Sequence, residues 1–205
     1  MNNYFSQLNK ESELEMVNEI KREALELNVP IISDEGLQYL MQLVRLTKAR
    51  KILEIGTAVA YSAINLALIN ENIKIDTIER DDQMYHKALE NISKVNLQKQ
   101  INVIYNDALA VELEEIYDII FIDAAKAQYK KLFEKYEHNL GISGIIVCDN
   151  LLFHGLVTNN DEIKSKNLRS LIRKIDLFNK WLSENQKYRT VFLTVGDGMA
   201  VSEKK

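Results

Sequence analysis

The chain has 205 residues, 46% of them hydrophobic and 27% charged, with a single proline; such a composition builds a buried core and excludes a disordered polymer. Its length suits one ordinary domain, 1–205, rather than two large ones. Lys and Arg number 26 against 30 Asp and Glu, a formal net charge of -4, whereas a nonspecific nucleic-acid binder is usually basic overall.

Residues 10–27 carry Leu14, Val17, Ile20, Ala24 and Leu27 at helical spacing, which predicts an amphipathic helix. Pro30 breaks the chain, and Ser33 then suits the cap of a second helix with Leu37, Leu40, Met41 and Val44 on one face. Residues 1–47 are thus expected to form a helical cover over the rest. The opening stretch lacks the apolar core of a signal peptide. No stretch reaches the roughly 20 apolar residues of a membrane span. A cytoplasmic location without membrane insertion is the expectation.

From residue 51 the pattern changes to short apolar strands alternating with helices: KILEIG, then YSAINLALI; IKIDTIER, then residues 82–96; INVIYND; YDIIFIDA, then residues 128–139; and GIIVCDN. That alternation predicts βαβ units and a parallel sheet covered on both faces. Cys148 sits in the last of these runs as the only cysteine, so an intramolecular disulfide and a multi-cysteine zinc site are excluded. Residues 165–184 read as a long helix, followed by two strands around Gly-Asp-Gly, a hairpin. Residues 161–190 hold eight Lys or Arg and four Asp or Glu, a local balance of +4 that leaves -8 elsewhere.

Open parallel sheets bind ligands beyond the carboxyl ends of their strands, and the informative residues cluster there. Glu54 to Ser62 form a strand-to-helix turn in which Gly56 permits a tight turn or a close ligand approach. The helix after it offers free N–H groups to a carboxylate or other anion. The segment lacks G-x-G-x-x-G, which argues against a pyrophosphate cofactor; alone, it is also compatible with a plain turn. Glu79 can accept both hydroxyls of a ribose or be a solvated strand end. Asp107 can help hold an adenine or close a turn. Asp123 ends one apolar strand, and Asp149 and Asn150 end the next; three oxygen ligands there suit Mg²⁺. Zinc is not expected without a histidine cluster, because His86, His138 and His154 are scattered. His154 lies in the loop beyond Asn150, near the expected substrate entrance at residues 151–164. Lys126 follows Asp123 by three residues. A lysine beside a divalent cation is repelled by it, which favours the neutral amine able to act as a base; an ordinary surface lysine is the alternative. Tyr129 is expected to pack the next helix.

Together ILEIGTAVAYSAINLA, IDTIE, NDAL, DIIFIDAAKAQY, IIVCDNLLFHG and GDGMAVSEK resemble the cation-dependent O-methyltransferases of the catechol and caffeoyl-CoA type. Within that family the chain most resembles bacterial tRNA 5-hydroxyuridine methyltransferases, which make 5-methoxyuridine at the wobble position. The resemblance implies a Rossmann-like class I methyltransferase fold: a mostly parallel seven-stranded sheet with a C-terminal antiparallel hairpin. It implies S-adenosylmethionine and Mg²⁺ as cofactors and a homodimer. It places the methionine part of the cofactor at Glu54, its carboxylate at Ser62, its ribose at Glu79 and its adenine at Asp107 and Ala108, with Gly56 and Asp123 also beside it. The metal ligands fall on Asp123, Asp149 and Asn150. The catalytic lysine falls on Lys126, with Asp123 beside it. One departure is Ala60, where the family usually has glycine; helical backbone angles are expected to accommodate it. Among the C-terminal cations, Arg169 and Arg173 lie four apart on one helix side and suit the phosphates of a tRNA anticodon loop. A small catechol-like phenol is the alternative substrate, and a noncatalytic nucleotide- or RNA-binding module the alternative class.

Overall fold

The computed structural model describes residues 8, 9, 12, 14–159 and 163–205. Two helices come first, α1 (Glu15–Glu26) and α2 (Asp34–Thr47). The alternating region follows as β1 (Lys51–Ile55), α3 (Tyr61–Ala67), β2 (Lys74–Glu79), α4 (Asp82–Lys94), β3 (Ile101–Tyr105), β4 (Tyr117–Ile122), α5 (Tyr129–Tyr136) and β5 (Leu140–Cys148). Short 3₁₀ turns, Lys126–Gln128 and Glu137–Asn139, flank α5. The chain ends with α6 (Lys166–Ser183), β6 (Tyr188–Leu193) and β7 (Met199–Lys204).

All seven strands share one sheet in the order β3-β2-β1-β4-β5-β7-β6. The first five are parallel, and β7 runs antiparallel to both β5 and β6. The hairpin expected around Gly-Asp-Gly is therefore present, with its second strand inserted beside β5. This is the Rossmann-like methyltransferase fold, with helices on both faces of the sheet.

Period-two alternation sorts the apolar strands into two cores. On one face Ile52, Ile75, Ile119 and Phe121 pack with α1, α2 and α3 through residues such as Val17, Leu40 and Ile64. On the other, Leu53, Ile55, Ile120, Ile122 and Ile146 meet Phe133, Tyr136 and Phe178 from α5 and α6. Each fully buried Leu, Ile or Phe side chain contributes about 1.5–3 kcal/mol relative to exposure. These strands are apolar on both faces because both faces are covered.

The N-terminal cover differs from its sequence reading at its edges. Val17, Ile20 and Ala24 are buried, but Leu14 and Leu27, placed on the same stripe, are exposed. They flank α1 rather than belong to it, so the helical period does not carry them inward; residues 10, 11 and 13 of the expected helix lie outside the described residues. Ser33 caps α2 as expected, its hydroxyl accepting the Gly36 N–H at 3.1 Å. Strand β5 begins at Leu140, earlier than expected, and stops at Cys148. Asp149 and Asn150 consequently stand just past its end.

Candidate active site

The connections from β1 and β4 leave the sheet in opposite directions, because β2 lies on one side of β1 and β4 on the other. Such a reversal opens a crevice at the carboxyl ends of the strands. A cavity of about 670 Å³ lies there. Gly56 makes the crevice possible: its φ is +104°, and a Cβ at that position would collide with the Asp123 carbonyl oxygen. The two strand ends are held together by the Asp123 N–H, which donates to Ile55 O at 3.0 Å.

Among the residues singled out from the sequence, Gly56, Ser62, Glu79, Asp107, Ala108, Asp123, Lys126, Asn150 and His154 line this cavity. Glu54 does not. It is 0% exposed, on the sheet face beneath α3. The Ser62 hydroxyl donates to one of its carboxylate oxygens and the Thr77 hydroxyl to the other at 2.6 Å. Thr77 pairs with Glu54 across β1 and β2, so both side chains share a face. Burial outweighs these hydrogen bonds and pushes the Glu54 carboxyl up to about 7. Its place in this arrangement is behind Ser62, setting that hydroxyl's orientation.

Glu79 is braced by three backbone donors. Oε2 accepts the Ala58 N–H at 2.9 Å, and Oε1 accepts the N–H groups of Arg80 and Asp81 at 2.8 Å each. The acid closing β2 thereby ties down the turn after β1. Asp107 closes its own turn through the Leu109 N–H at 2.8 Å and lies 3.5 Å from the Arg80 guanidinium. The turn-closing reading of Asp107 holds, and the residue also lines the cavity.

The Ala60 expectation is corrected. Ala60 caps α3 with φ 63° and ψ 22°, a left-handed conformation rather than helical angles. Ala58 also has positive φ, at 46°. A Cβ in this region crowds the following carbonyl, at a cost of about 1–2 kcal/mol per residue, which explains why glycine suits position 60.

At the other side of the crevice, Ile122 pairs with Cys148, so Asp123 and Asp149 leave adjacent strands side by side. The Asp149 N–H reaches Ile122 O at 3.3 Å and continues the ladder. Asp149 is 1% exposed; its Oδ1 accepts the Asn150 N–H at 2.7 Å. Burial, and next the Asp123 carboxylate, push its carboxyl up to about 7. Lys126 Nζ lies 3.0 Å from Asp123 Oδ1. Tyr129 packs at the start of α5 and donates its hydroxyl to Asp149 O at 2.8 Å, fixing the backbone that carries Asp149. Among the described residues no three His, Cys, Asp or Glu side chains form a metal cluster; Asn150 follows Asp149 directly and lines the cavity. A buried carboxylate close to a second carboxylate is an oxygen donor chemistry that fits a hard divalent cation.

Sequence reasoning missed Asp197, which also lines the cavity; its Gly-Asp-Gly setting signalled only a turn. It also missed Thr77, and the wall that Leu25 and Val29–Ile32 contribute from the N-terminal cover. Arg169 and Arg173 are exposed on α6 and lie outside the cavity. No helix among the described residues is long and apolar enough to cross a membrane.

Sheet order, inserted hairpin, glycine turn after β1 and acid closing β2 define a Rossmann-like methyltransferase. A family profile described as O-methyltransferase matches residues 6–205. A caffeoyl-CoA O-methyltransferase from Populus kitakamiensis is 31% identical over 188 residues, 87% of this chain and 78% of the relative. A Staphylococcus aureus structure described as a candidate caffeoyl-CoA O-methyltransferase superposes with a TM-score of 0.93 at 36% identity, covering 99% of this chain and 98% of that one. An O-methyltransferase from Bacillus cereus in complex with SAH superposes with a TM-score of 0.84 at 27% identity, covering 99% and 96%. The chain belongs to this O-methyltransferase family, and its activity is S-adenosylmethionine-dependent O-methylation.

Proposed function

We propose that the protein methylates a hydroxyl flanked by a second oxygen, the acceptor being 5-hydroxyuridine at the wobble position of tRNA and the product 5-methoxyuridine. The observation that carries the RNA assignment is the exposed face of α6. Arg169, Arg173 and Lys174 are exposed there and have no ion pair among the described residues. The opposite face of α6, through Ile172 and Ile175, packs with Phe153, Leu156 and Val157 of the loop after β5, and Phe153 lines the cavity. Exposed cations on the helix that backs this cavity-lining loop suit phosphates flanking a base delivered to the site. A wobble base already stands in a loop, so presenting it costs little unpairing.

Gly56, Ser62, Glu79, Asp107 and Ala108 would hold the cofactor, whose sulfonium supplies the methyl group. Asp123, Asp149 and Asn150 would hold a divalent cation, which when bound would acidify and orient the acceptor hydroxyl. Lys126 stands on the same side of the cavity and, as the neutral amine that a bound cation would favour, would take the hydroxyl proton. The deprotonated acceptor oxygen would be held in line with the methyl group that the bound cofactor would supply, its sulfur leaving with the bonding electron pair. The fixed strand ends supply alignment, and no covalent enzyme intermediate is required. The partners proposed are the tRNA anticodon loop and a second copy of the chain as a homodimer, in the cytoplasm.

The names of the relatives favour a second reading, a small catechol-like phenol: they include the caffeoyl-CoA enzyme and a flavonoid 3',5'-methyltransferase of Vitis vinifera. The deciding experiment is nucleoside analysis of tRNA after gene deletion, with purified protein added back. Accumulated 5-hydroxyuridine that the protein converts to 5-methoxyuridine supports the RNA assignment. Unchanged tRNA together with methylation of catechol overturns it in favour of the phenol.

A further inference from the structure

We propose that Asp197 is a positioning residue for the acceptor side of the cavity, clasping the loop after β5 so that Asn150 and His154 face the substrate. This rests on the reading of that side as the acceptor site. The loop closes turns of its own at Leu156 and Val157, and the Asn179 amide donates to Leu151 O; the left-handed residues at its start are held from outside as well. Asn150, Phe153 and His154 have φ of 58°, 46° and 57°, and a bulky residue such as Phe rarely adopts this region unaided. Three bonds from the Gly196–Gly198 turn fix it. Asp197 Oδ1 accepts the His154 N–H at 2.6 Å. The Leu152 N–H donates to Asp197 O and the Leu151 N–H to Gly198 O, both at 2.9 Å. Asp197 Oδ2 also lies 3.8 Å from His154 Nδ1.

The turn is itself locked on both sides. A Cβ on Gly198 would stand 2.7 Å from Leu152 Cγ, and one on Gly196 would collide with the Ser33 hydroxyl that caps α2. One turn thus joins the N-terminal cover to the acceptor loop. His154 is left with an 80% exposed side chain at the cavity it lines. Its backbone is fixed while its imidazole is available to the acceptor.

The test compares Asp197→Ala with Asp197→Asn, which keeps an oxygen for the His154 N–H. Amide hydrogen exchange of residues 150–156 is measured by mass spectrometry, SAH affinity by calorimetry, and methyl transfer with catechol as the probe acceptor. Asp197→Ala removes the side-chain bond to the His154 N–H and keeps the two backbone bonds, so exchange at His154 and its neighbours is expected to speed about tenfold and the catechol KM to rise by a similar factor, with SAH affinity unchanged. Asp197→Asn is expected to restore most of both. Unchanged exchange in Asp197→Ala overturns the proposal whatever the acceptor proves to be. So does loss of Mg²⁺-induced stabilisation in both variants, which would make Asp197 a cation ligand instead. If wild-type protein leaves catechol unmethylated, the phenol reading fails while the exchange comparison still decides the clasp.

Discussion

Replacing Asp149 by Asn separates the cost of the site from its chemistry. Burial first, then the neighbouring Asp123 carboxylate, raise the Asp149 carboxyl from 3.8 to about 7. An acid raised on folding contributes stability that is complete below its unfolded pKa and is lost as pH climbs through its folded one. The window here runs from 3.8 to about 7. At about 1.4 kcal/mol per pH unit, this carboxyl costs the metal-free fold about 4 kcal/mol at pH 8, where it is ionised, and about 2 kcal/mol at pH 5, where folding must protonate it. Asn keeps the oxygen that accepts the Asn150 N–H, but its new NH₂ group costs about 1–3 kcal/mol if no partner is found. That cost does not change with pH, and the shift of Glu54 is common to both proteins and cancels. The stability difference should therefore move toward the variant by about 2–3 kcal/mol between pH 5 and pH 8. Urea denaturation of both proteins in EDTA measures it. At pH 8, added Mg²⁺ should stabilise the wild type but not Asp149→Asn, and the variant should lose methyl transfer. An equal difference at the two pH values would refute the reasoning about burial, and full wild-type activity in EDTA would refute the role of the cation.

Lys126→Ala should lower the transfer rate by about 10²–10⁴-fold with SAH affinity unchanged; a loss of less than tenfold would remove Lys126 from the proton step. Ala60→Gly should stabilise the protein by about 1 kcal/mol, because glycine carries no penalty at this left-handed position; thermal denaturation reads the gain, and a lower Tm would refute it. The pair Arg169→Glu and Arg173→Glu should abolish binding of tRNA and flatten its salt dependence while leaving SAH affinity intact. Unchanged tRNA binding in a filter assay would place the RNA surface elsewhere.

The sheet was legible because β1 and β4 are apolar on both faces and alternate with amphipathic helices. Hairpin chemistry at Gly196–Gly198 announced that β6 and β7 pair antiparallel. It could not announce that β7, rather than β6, lies beside β5, since both orders keep the same turn and the same alternation. Strand-end acids were legible because each follows an apolar run directly. The conformation of Ala60 was not, since the residue type gives no sign of a φ that the neighbouring turn imposes. Asp197 stayed hidden for a different reason: its partners Leu152 and His154 lie more than 40 positions away in sequence, and a Gly-Asp-Gly turn needs no partner to be explained.

Glu54 and Asp149 show why a shared electrostatic perturbation does not mean a shared role. Both are buried acids raised to about 7. Glu54 has hydroxyl donors on both oxygens, from Ser62 and Thr77, and Thr77 is in turn 2.7 Å from the Thr57 hydroxyl. That network satisfies the group internally and spans β1, β2 and the turn between β1 and α3, so its charge is held to orient Ser62 rather than to meet a ligand. Asp149 accepts the adjacent Asn150 amide and faces another carboxylate. Its burial penalty is eased by the Asn150 N–H and by Lys126, and a positive group between Asp149 and Asp123 would ease it further. Lys126 reaches Asp123, and a divalent cation would serve both acids at once. The β1–β2 side of the crevice therefore satisfies its buried acid with its own hydrogen bonds, whereas on the proposed reading the β4–β5 side would be completed by what binds there.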